Sequence, residues 1–220
     1  MILTTEFFNQ NAVKVAQNLL GKVLRVKYHK QWLSVMIIET ESYCLQDKAS
    51  HASLGFSEKR KALFMPAGTI YMYYARGGDS LNISCKGKGS AVLIKSGIPY
   101  VDKKSPQKSI ATMQKLNPLK NKIRCTEKLC SGQTLLCRAL NLKVPKWDQR
   151  QFDKNKFYLE DVKYALDKII QTTRLGIPKG RDDHLLYRFI DYEKATFCTD
   201  NPLRKRNKPA IKIVKRKKYE

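Results

Sequence analysis

Residues 35–51 read VMIIETESYCLQDKASH, and the passage from apolar to acidic residues within this stretch decides how the fold is interpreted. Side chains of an extended strand alternate between two faces, so Glu39, Glu41 and Tyr43 lie on one face while Thr40 lies on the other. The two carboxylates are then roughly 6–7 Å apart, close enough for one to shift the pKa of the other where water is excluded. The alternative is a strand that ends in solvent, with both acids merely hydrated.

Charge is the most pronounced feature of the composition. The 220 residues include 43 Lys and Arg against 19 Asp and Glu, which gives a formal net charge of +24. A positive field of this size favours polyanionic partners, of which nucleic acid is the commonest inside cells. An anionic membrane surface would call for a strongly amphipathic basic helix, which the sequence does not show. The remaining alternative is a lysine-rich composition that is unrelated to any binding partner, and the size of the excess favours nucleic acid.

The motifs that the sequence lacks constrain location, metals and cofactors. No apolar run approaches the length of a membrane span, and the first ten residues, MILTTEFFNQ, lack the features of a secretory signal, so we expect an intracellular protein. The six cysteines do not follow a zinc-binding spacing, so we expect free thiols and no metal site. The common nucleotide-binding motifs are missing, so we expect no cofactor.

The periodicity of apolar residues outlines one mixed α/β domain that covers residues 1–220. Helical spacing predicts helices over residues 11–20 and 133–140. Runs of β-branched and aromatic residues predict strands over residues 22–28, 32–40, 69–74, 82–85 and 90–95. The polar stretch 46–63 is interpreted as an irregular loop. The basic C-terminal segment, residues 204–220, is either a flexible tail or a basic strand that touches phosphates.

A few polar and aromatic residues could carry chemistry. Tyr71, Tyr73 and Tyr74 could simply pack within a strand, or they could form a stacking pocket for a flat or cationic ring. His51 and Asn82 each fit a structural hydrogen-bonding role equally well. An enzyme that acts on nucleic acid without cofactor or metal could still cleave an N-glycosidic bond with an activated water. That reaction needs one carboxylate, one ordered water and a pocket for the base.

Six segments in chain order resemble those of the alkyladenine (3-methyladenine) DNA glycosylases of the mammalian type. They cover most of residues 5–145, and ETE-x-Y together with LCSG before a Leu-Cys-x-Ala-Leu helix is a specific combination. The segments are FFNQNAVKVAQNLLGKVL (7–24), IIETESY (37–43) with His51, FMPAGTIYMYY (64–74), LNIS (81–84), GSAVLIKSGIP (89–99) and KLCSGQTLLCRALNL (128–142).

The resemblance implies a single mixed α/β domain with a curved antiparallel β-sheet, a protruding β-hairpin and surrounding helices. It implies a monofunctional hydrolase of base excision repair that flips an alkylated purine out of the duplex and leaves an abasic site. By matching positions, Glu41 would be the general base that activates water. Tyr43, His51 and Tyr73 would line the base pocket, and Asn82 would sit where the 2-amino group of guanine would clash. Glu39 would instead support the strand or its neighbours.

The resemblance also implies residues that contact DNA. Tyr74 or Arg76 would wedge into the duplex, although YYARGGDSLN is one residue shorter than the usual family pattern. Leu93 and Lys95 would complete the contact set, with Lys95 in place of the arginine that is typical of the family. The expected partner is double-stranded DNA with damaged purines, bound by a monomer away from membranes. A non-catalytic nucleic-acid-binding protein on the same scaffold and a basic structural protein are the alternatives.

Overall fold

The computed structural model describes residues 1–75, 77–120, 122–204 and 209–216. This part of the chain is a single mixed α/β domain built on an open antiparallel sheet, which confirms the predicted fold class. The strands are β1 (Val23–Tyr28), β2 (Gln31–Tyr43), β3 (Ile70–Ala75), β4 (Gly78–Ser84), β5 (Ala91–Pro99), β6 (Phe157–Glu160), β7 (Lys168–Thr172), β8 (Arg188–Asp191) and β9 (Ile211–Lys215). The spatial order is β3-β4-β5-β2-β8-β7-β9, while β1 pairs with β2 and β6.

Helices cover the sheet and complete the core. The α-helices are α1 (Thr5–Phe8), α2 (Ala12–Leu19), α3 (Lys108–Leu116), α4 (Gln133–Ala139) and α5 (Val144–Trp147). The 3-10 helices are His51–Leu54, Glu58–Phe64, Thr126–Lys128, Tyr192–Phe197 and Pro202–Arg204. None of the described helices has both the length and the apolar character needed to cross a bilayer.

The longest strand, β2, lies at the centre of the sheet and continues through the acidic residues instead of ending before them. It was predicted to stop at Thr40, but it runs to Tyr43 and its last residues are largely buried. The hydroxyl of Thr40 donates to the carbonyl of Ala16 in α2, at 2.8 Å, on the core side of the sheet. The register with β5 shifts on either side of Glu39, so the local ladder is irregular there. Such irregularities re-aim side chains, and this one lies at the predicted site.

Two sequence predictions change in the light of the structure. The stretch 46–63 is not an irregular loop throughout, because it contains the 3-10 helices His51–Leu54 and Glu58–Phe64. Helices of four and seven residues are too short to produce a clear periodic pattern in the sequence. Of the two alternatives for the C-terminal segment, a strand is observed for Ile211–Lys215, which pairs with β7. Residues 205–208 and 217–220 lie outside the described part of the chain.

The predicted hairpin consists of β3 and β4, and Tyr74, one of the predicted wedge residues, lies near the end of β3. The strands pair from Ile70 and Ile83 at one end to Ala75 and Gly78 at the other. Tyr74, one residue before the end of β3, has 71% of its surface exposed. The other wedge candidate, Arg76, lies outside the described residues.

Candidate active site

A cavity of about 400 Å³ opens between the sheet, the first 3-10 helix and the segment 175–181. The structure brings seven of the nine predicted site residues to its wall. These are Glu41, Tyr43, His51, Tyr73, Asn82, Leu93 and Lys95. Residues that lie far apart in sequence are therefore gathered around one space.

The sheet register explains how four strands contribute to one wall. Glu41 in β2 pairs with Leu93 in β5, and Leu93 pairs with Asn82 in β4. Asn82 pairs in turn with Tyr71 in β3. Directly paired residues present their side chains on the same face of a sheet, so this row places a carboxylate, an apolar side chain, an amide and a phenol side by side.

Glu41 is completely buried from solvent and is held by three groups. The hydroxyl of Tyr43 donates to its Oε2 at 2.7 Å, the backbone N–H of Leu175 donates to its Oε1 at 3.3 Å, and the Lys95 ammonium lies 3.4 Å from Oε1. Burial by itself raises the pKa of Glu41, but Lys95, the Tyr43 hydroxyl, the Arg188 guanidinium and the Leu175 N–H together bring the pKa below its ordinary value. The cavity wall therefore contains an ionised carboxylate.

Tyr43 is held at its hydroxyl by Glu41 and at its ring by Arg174. Burial and the neighbouring Glu41 carboxylate raise the pKa of Tyr43 well above its ordinary value, so its hydroxyl stays protonated and remains a donor. The guanidinium of Arg174 lies over the Tyr43 ring, 4.6 Å from its centroid. Arg174 is itself held by a buried bidentate ion pair with Asp47 and by the carbonyl of Ser42. The phenol can thus hold Glu41 in one orientation.

Three aromatic rings form another part of the wall. The rings of His51 and Tyr73 are 4.4 Å apart between centroids, and those of Tyr71 and Tyr73 are 5.4 Å apart with a tilt of 33°. His51 Nδ1 lies 2.9 Å from the Tyr71 hydroxyl. Burial, followed by the positive charges of Arg60 and Arg181, lowers the pKa of His51, which favours a neutral imidazole at pH 7. Such a group of rings can contact a planar heterocycle without adding charge of its own.

Asn82 is anchored to the hairpin partner strand. Its amide Nδ2 donates to the carbonyl oxygen of Tyr71 at 3.3 Å, which fixes the orientation of the side chain at the cavity wall. Buried amides of fixed orientation are suited to discriminate between ligands by the donors and acceptors that they present.

Glu39 does not line the cavity, in agreement with the supporting role expected for it. Arg188 Nε donates to its Oε1 at 2.7 Å, while Ser96 Oγ and the backbone N–H of Thr199 donate to its Oε2 at 2.6 and 2.8 Å. Both oxygens are therefore occupied by protein groups. The two acids of the ETE stretch have different surroundings, and Glu41 is the one that faces the cavity.

Sequence reasoning missed two parts of the wall. One is the segment 175–181, which contributes Leu175, Gly176, Ile177, Pro178 and Arg181. Its Gly and Pro residues indicate a loop, but nothing in the sequence placed that loop over Glu41. The other is Gln133 at the start of α4, whose side chain is largely buried and lines the cavity. Tyr71 was weighed only as part of the tyrosine cluster, and it lies in the wall as well.

The described residues include no group of three or more His, Cys, Asp and Glu side chains that could hold a metal ion. All six cysteines are free thiols, and Cys85, Cys130, Cys137 and Cys198 are buried.

Comparison with known proteins gives a consistent result. The model of the family described as methylpurine-DNA glycosylase (MPG) matches residues 6–195. A protein of Pseudomonas savastanoi pv. phaseolicola is 57% identical over 204 residues, which is 92% of each chain. One of Pseudomonas aeruginosa is 55% identical over 92% of this chain and 85% of its own, and one of Clostridium beijerinckii is 33% identical over 80% of this chain and 88% of its own. All three are provisionally named 3-methyladenine DNA glycosylases.

Proposed function

The chain belongs to the methylpurine-DNA glycosylase family, and from this premise we propose that it excises alkylated purines such as 3-methyladenine from double-stranded DNA. The observation that carries the proposal is the Glu41 carboxylate, which is buried beside a wall of aromatic rings and lines the cavity. A protein that only binds phosphates needs no such carboxylate, because it would repel the phosphate backbone.

In the proposed reaction, Glu41 acts as the general base. Its carboxylate accepts a proton from a water molecule, and the water oxygen attacks C1′ of the deoxyribose. The electrons of the N-glycosidic bond pass to the purine, which leaves, while DNA keeps an abasic site. An N-alkylated purine such as 3-methyladenine carries a positive charge and leaves as a neutral base, so the reaction proceeds without a strong general acid.

Recognition would follow from the aromatic wall. Faces of Tyr43 and Tyr73 attract a cationic ring more strongly than a neutral one, because the ring quadrupole is negative at its face. A neutral His51 adds surface without repelling the cation. We assign Asn82 to discrimination against guanine, whose 2-amino group would meet the anchored amide. A hydrophobic contact from Leu93 would complete the pocket.

The target base can enter the cavity only after it has left the base stack. Flipping costs a few kcal/mol and costs least for damaged or mispaired bases, which itself contributes selectivity. We assign the wedge to the exposed Tyr74 on the β3–β4 hairpin. The net charge of +24 supplies affinity for the phosphate backbone without sequence preference.

The decisive experiment uses duplex DNA with one 3-methyladenine or hypoxanthine, followed by alkali that breaks the strand at abasic sites. We expect cleavage with the native protein and almost none with Glu41→Gln at unchanged DNA affinity. Glu6→Gln, the same change at an exposed position in α1, is the control and should behave like the native protein. Equal activity of the Glu41→Gln and native proteins would contradict the assignment of the base.

The same assay tests whether the enzyme is monofunctional. A lysine, Lys95, lies in the cavity wall and could in principle attack C1′ through its amine. Its nitrogen is held by the 3.4 Å ion pair with Glu41 and by the hydrogen bond to Gln133, which keep it from attacking C1′. We therefore expect no strand break before alkali and no covalent protein–DNA adduct after borohydride. A trapped adduct that disappears in Lys95→Met would show a bifunctional enzyme instead.

A further inference from the structure

A chain of buried polar contacts leads from Glu41 along the cavity wall to helix α4. The Lys95 ammonium lies 3.4 Å from Glu41 Oε1 and donates to Gln133 Oε1 at 3.2 Å. On its other side, Gln133 Nε2 donates to the hydroxyl of Ser80 at 2.7 Å. These four side chains come from β2, β5, α4 and β4, and each is almost fully withdrawn from solvent.

From this arrangement we infer that Gln133 is a positioning residue, which fixes the Lys95 ammonium against the Glu41 carboxylate and so maintains the ionised base. The inference rests on the proposed function of Glu41. Gln133 itself would not contact the reacting atoms, because it acts through Lys95.

The first argument is the geometry of a lysine. An ammonium on a flexible four-carbon stem is a mobile point charge, unlike the planar fork of an arginine that would hold its own orientation. Lys95 therefore needs a second acceptor besides Glu41 if its position is to be unique. Gln133 Oε1 is that acceptor, and the bond from Gln133 Nε2 to Ser80 prevents the amide from turning round.

The second argument is the approach of α4 to the hairpin. A Cβ added at Gly78 in β4 would come within 2.9 Å of Thr134 Cβ, so the missing side chain lets the start of α4 lie directly on β4. This close approach brings Gln133 within reach of both Ser80 and Lys95. A buried amide whose donor and acceptor are both used costs little, but an apolar residue would fill the same space without needing two partners. Simple packing does not explain the choice of glutamine.

The test compares Gln133→Met, which keeps the length of the side chain but removes both hydrogen bonds, with Gln107→Met at an exposed position. Single-turnover excision of one lesion is measured from about pH 3.5 to 8, because the pKa of Glu41 lies below its ordinary value and the acid limb of the native profile is therefore found at low pH. Of the two lost hydrogen bonds, the one that holds Lys95 affects the reaction, and its loss predicts a rate at pH 7 about five-fold lower in Gln133→Met. A loosely held Lys95 stabilises the Glu41 carboxylate less, so the pKa of Glu41 rises and the acid limb of the profile moves to higher pH. Any protonation of the lesion itself affects the native and variant proteins equally, so it does not change the difference between their pH profiles.

If the rate of Gln133→Met falls but the acid limb of its profile does not move, Gln133 has only a structural role and the inference is overturned. A rate and a profile equal to those of the native protein would overturn it as well. If Gln133→Met does not fold, Ser80→Ala replaces it, because it frees the amide while leaving Lys95 and Gln133 in place. A smaller shift in the same direction is expected, and an unmoved limb in Ser80→Ala also overturns the inference. Glu41→Gln in the same assay separates the two proposals. Inactive Glu41→Gln with an unchanged Gln133→Met rejects only the role of Gln133, whereas active Glu41→Gln rejects the proposed function of Glu41.

Discussion

Arg188 Nε donates to Glu39 Oε1 across 2.7 Å, and neither side chain is more than 1% exposed. This ion pair neutralises the first acid of the ETE stretch inside the sheet. The second acid, Glu41, instead forms an ion pair with Lys95 and lines the cavity. The stretch thus combines a structural carboxylate and a candidate catalytic one within a single strand, and the difference between them is set by which cation each one faces.

The Glu39–Arg188 pair predicts a large effect on stability. In Glu39→Gln, Arg188 keeps its charge but loses its counter-ion in a buried place, and breaking such a pair costs about 3–5 kcal/mol. Urea unfolding measures this change in the free energy of unfolding. The same substitution at the exposed Glu6 should stay within about 0.5 kcal/mol of the native protein. A loss below about 1 kcal/mol in Glu39→Gln would mean that Arg188 finds another partner or that water reaches the pair.

For the strand that carries both acids, the β conformation and the face on which each side chain lies could be predicted, but the burial of its last residues could not. Alternation along β2 correctly places Thr40 towards α2 and Glu41 on the opposite face, since that depends only on strand geometry. The strand was nevertheless ended three residues early, because consecutive acids after an apolar run usually meet water. Arg188, which makes burial of Glu39 tolerable, lies 149 positions further along the chain. No local pattern contains that information.

The wall formed by segment 175–181 illustrates the same limit. Its sequence, LGIPKGR, has neither helical nor strand periodicity and is identified only as a loop. Its position over the cavity follows from contacts at long range, above all the buried pair of Arg174 with Asp47 and the bond from Leu175 N–H to Glu41. Gln133 was missed for a related reason, since a glutamine at the start of a helix is unremarkable until its buried partners are known.

The position of Lys215 in the edge strand β9 predicts that one substitution will raise the free energy of unfolding and weaken DNA binding. Lys215 in β9 is directly opposite Lys168 in β7, and like charges in such a pair are destabilising. Asp167, whose Oδ2 lies 3.7 Å from the Lys168 ammonium, offsets only part of this repulsion. A bound phosphate would relieve this repulsion, so we expect the pair to contact DNA. In Lys215→Gln the free energy of unfolding should rise by about 0.2–1 kcal/mol, while the slope of log K against log salt should become shallower by about 0.9. Urea unfolding and binding titrations at several salt concentrations measure the two effects.

Lys215→Arg is the matched control for this prediction, because it keeps the charge and should keep the salt slope. Substitution is preferable to removal of residues 204–220, since Ile211–Lys215 pairs with β7 and deletion would expose its edge. Binding should weaken equally for all DNA sequences, as phosphate contacts carry no sequence information. A loss confined to particular sequences, or an unchanged slope in Lys215→Gln, would contradict the assignment.

Tyr74 predicts an effect on activity that depends on how the lesion is paired. Its side chain is 71% exposed near the end of the hairpin, whereas Tyr73 beside it lines the cavity. If Tyr74 replaces the flipped base in the stack, Tyr74→Ala should slow excision of a 3-methyladenine paired with thymine on the order of 10-fold, because unstacking costs a few kcal/mol. Excision of the same base from single-stranded DNA, where little unstacking is required, should change much less. Tyr74→Phe keeps the ring and should act like the native protein, and unfolding free energies should agree within about 0.5 kcal/mol for a surface position. Equal losses on paired and single-stranded substrates would place Tyr74 in base recognition and not in flipping.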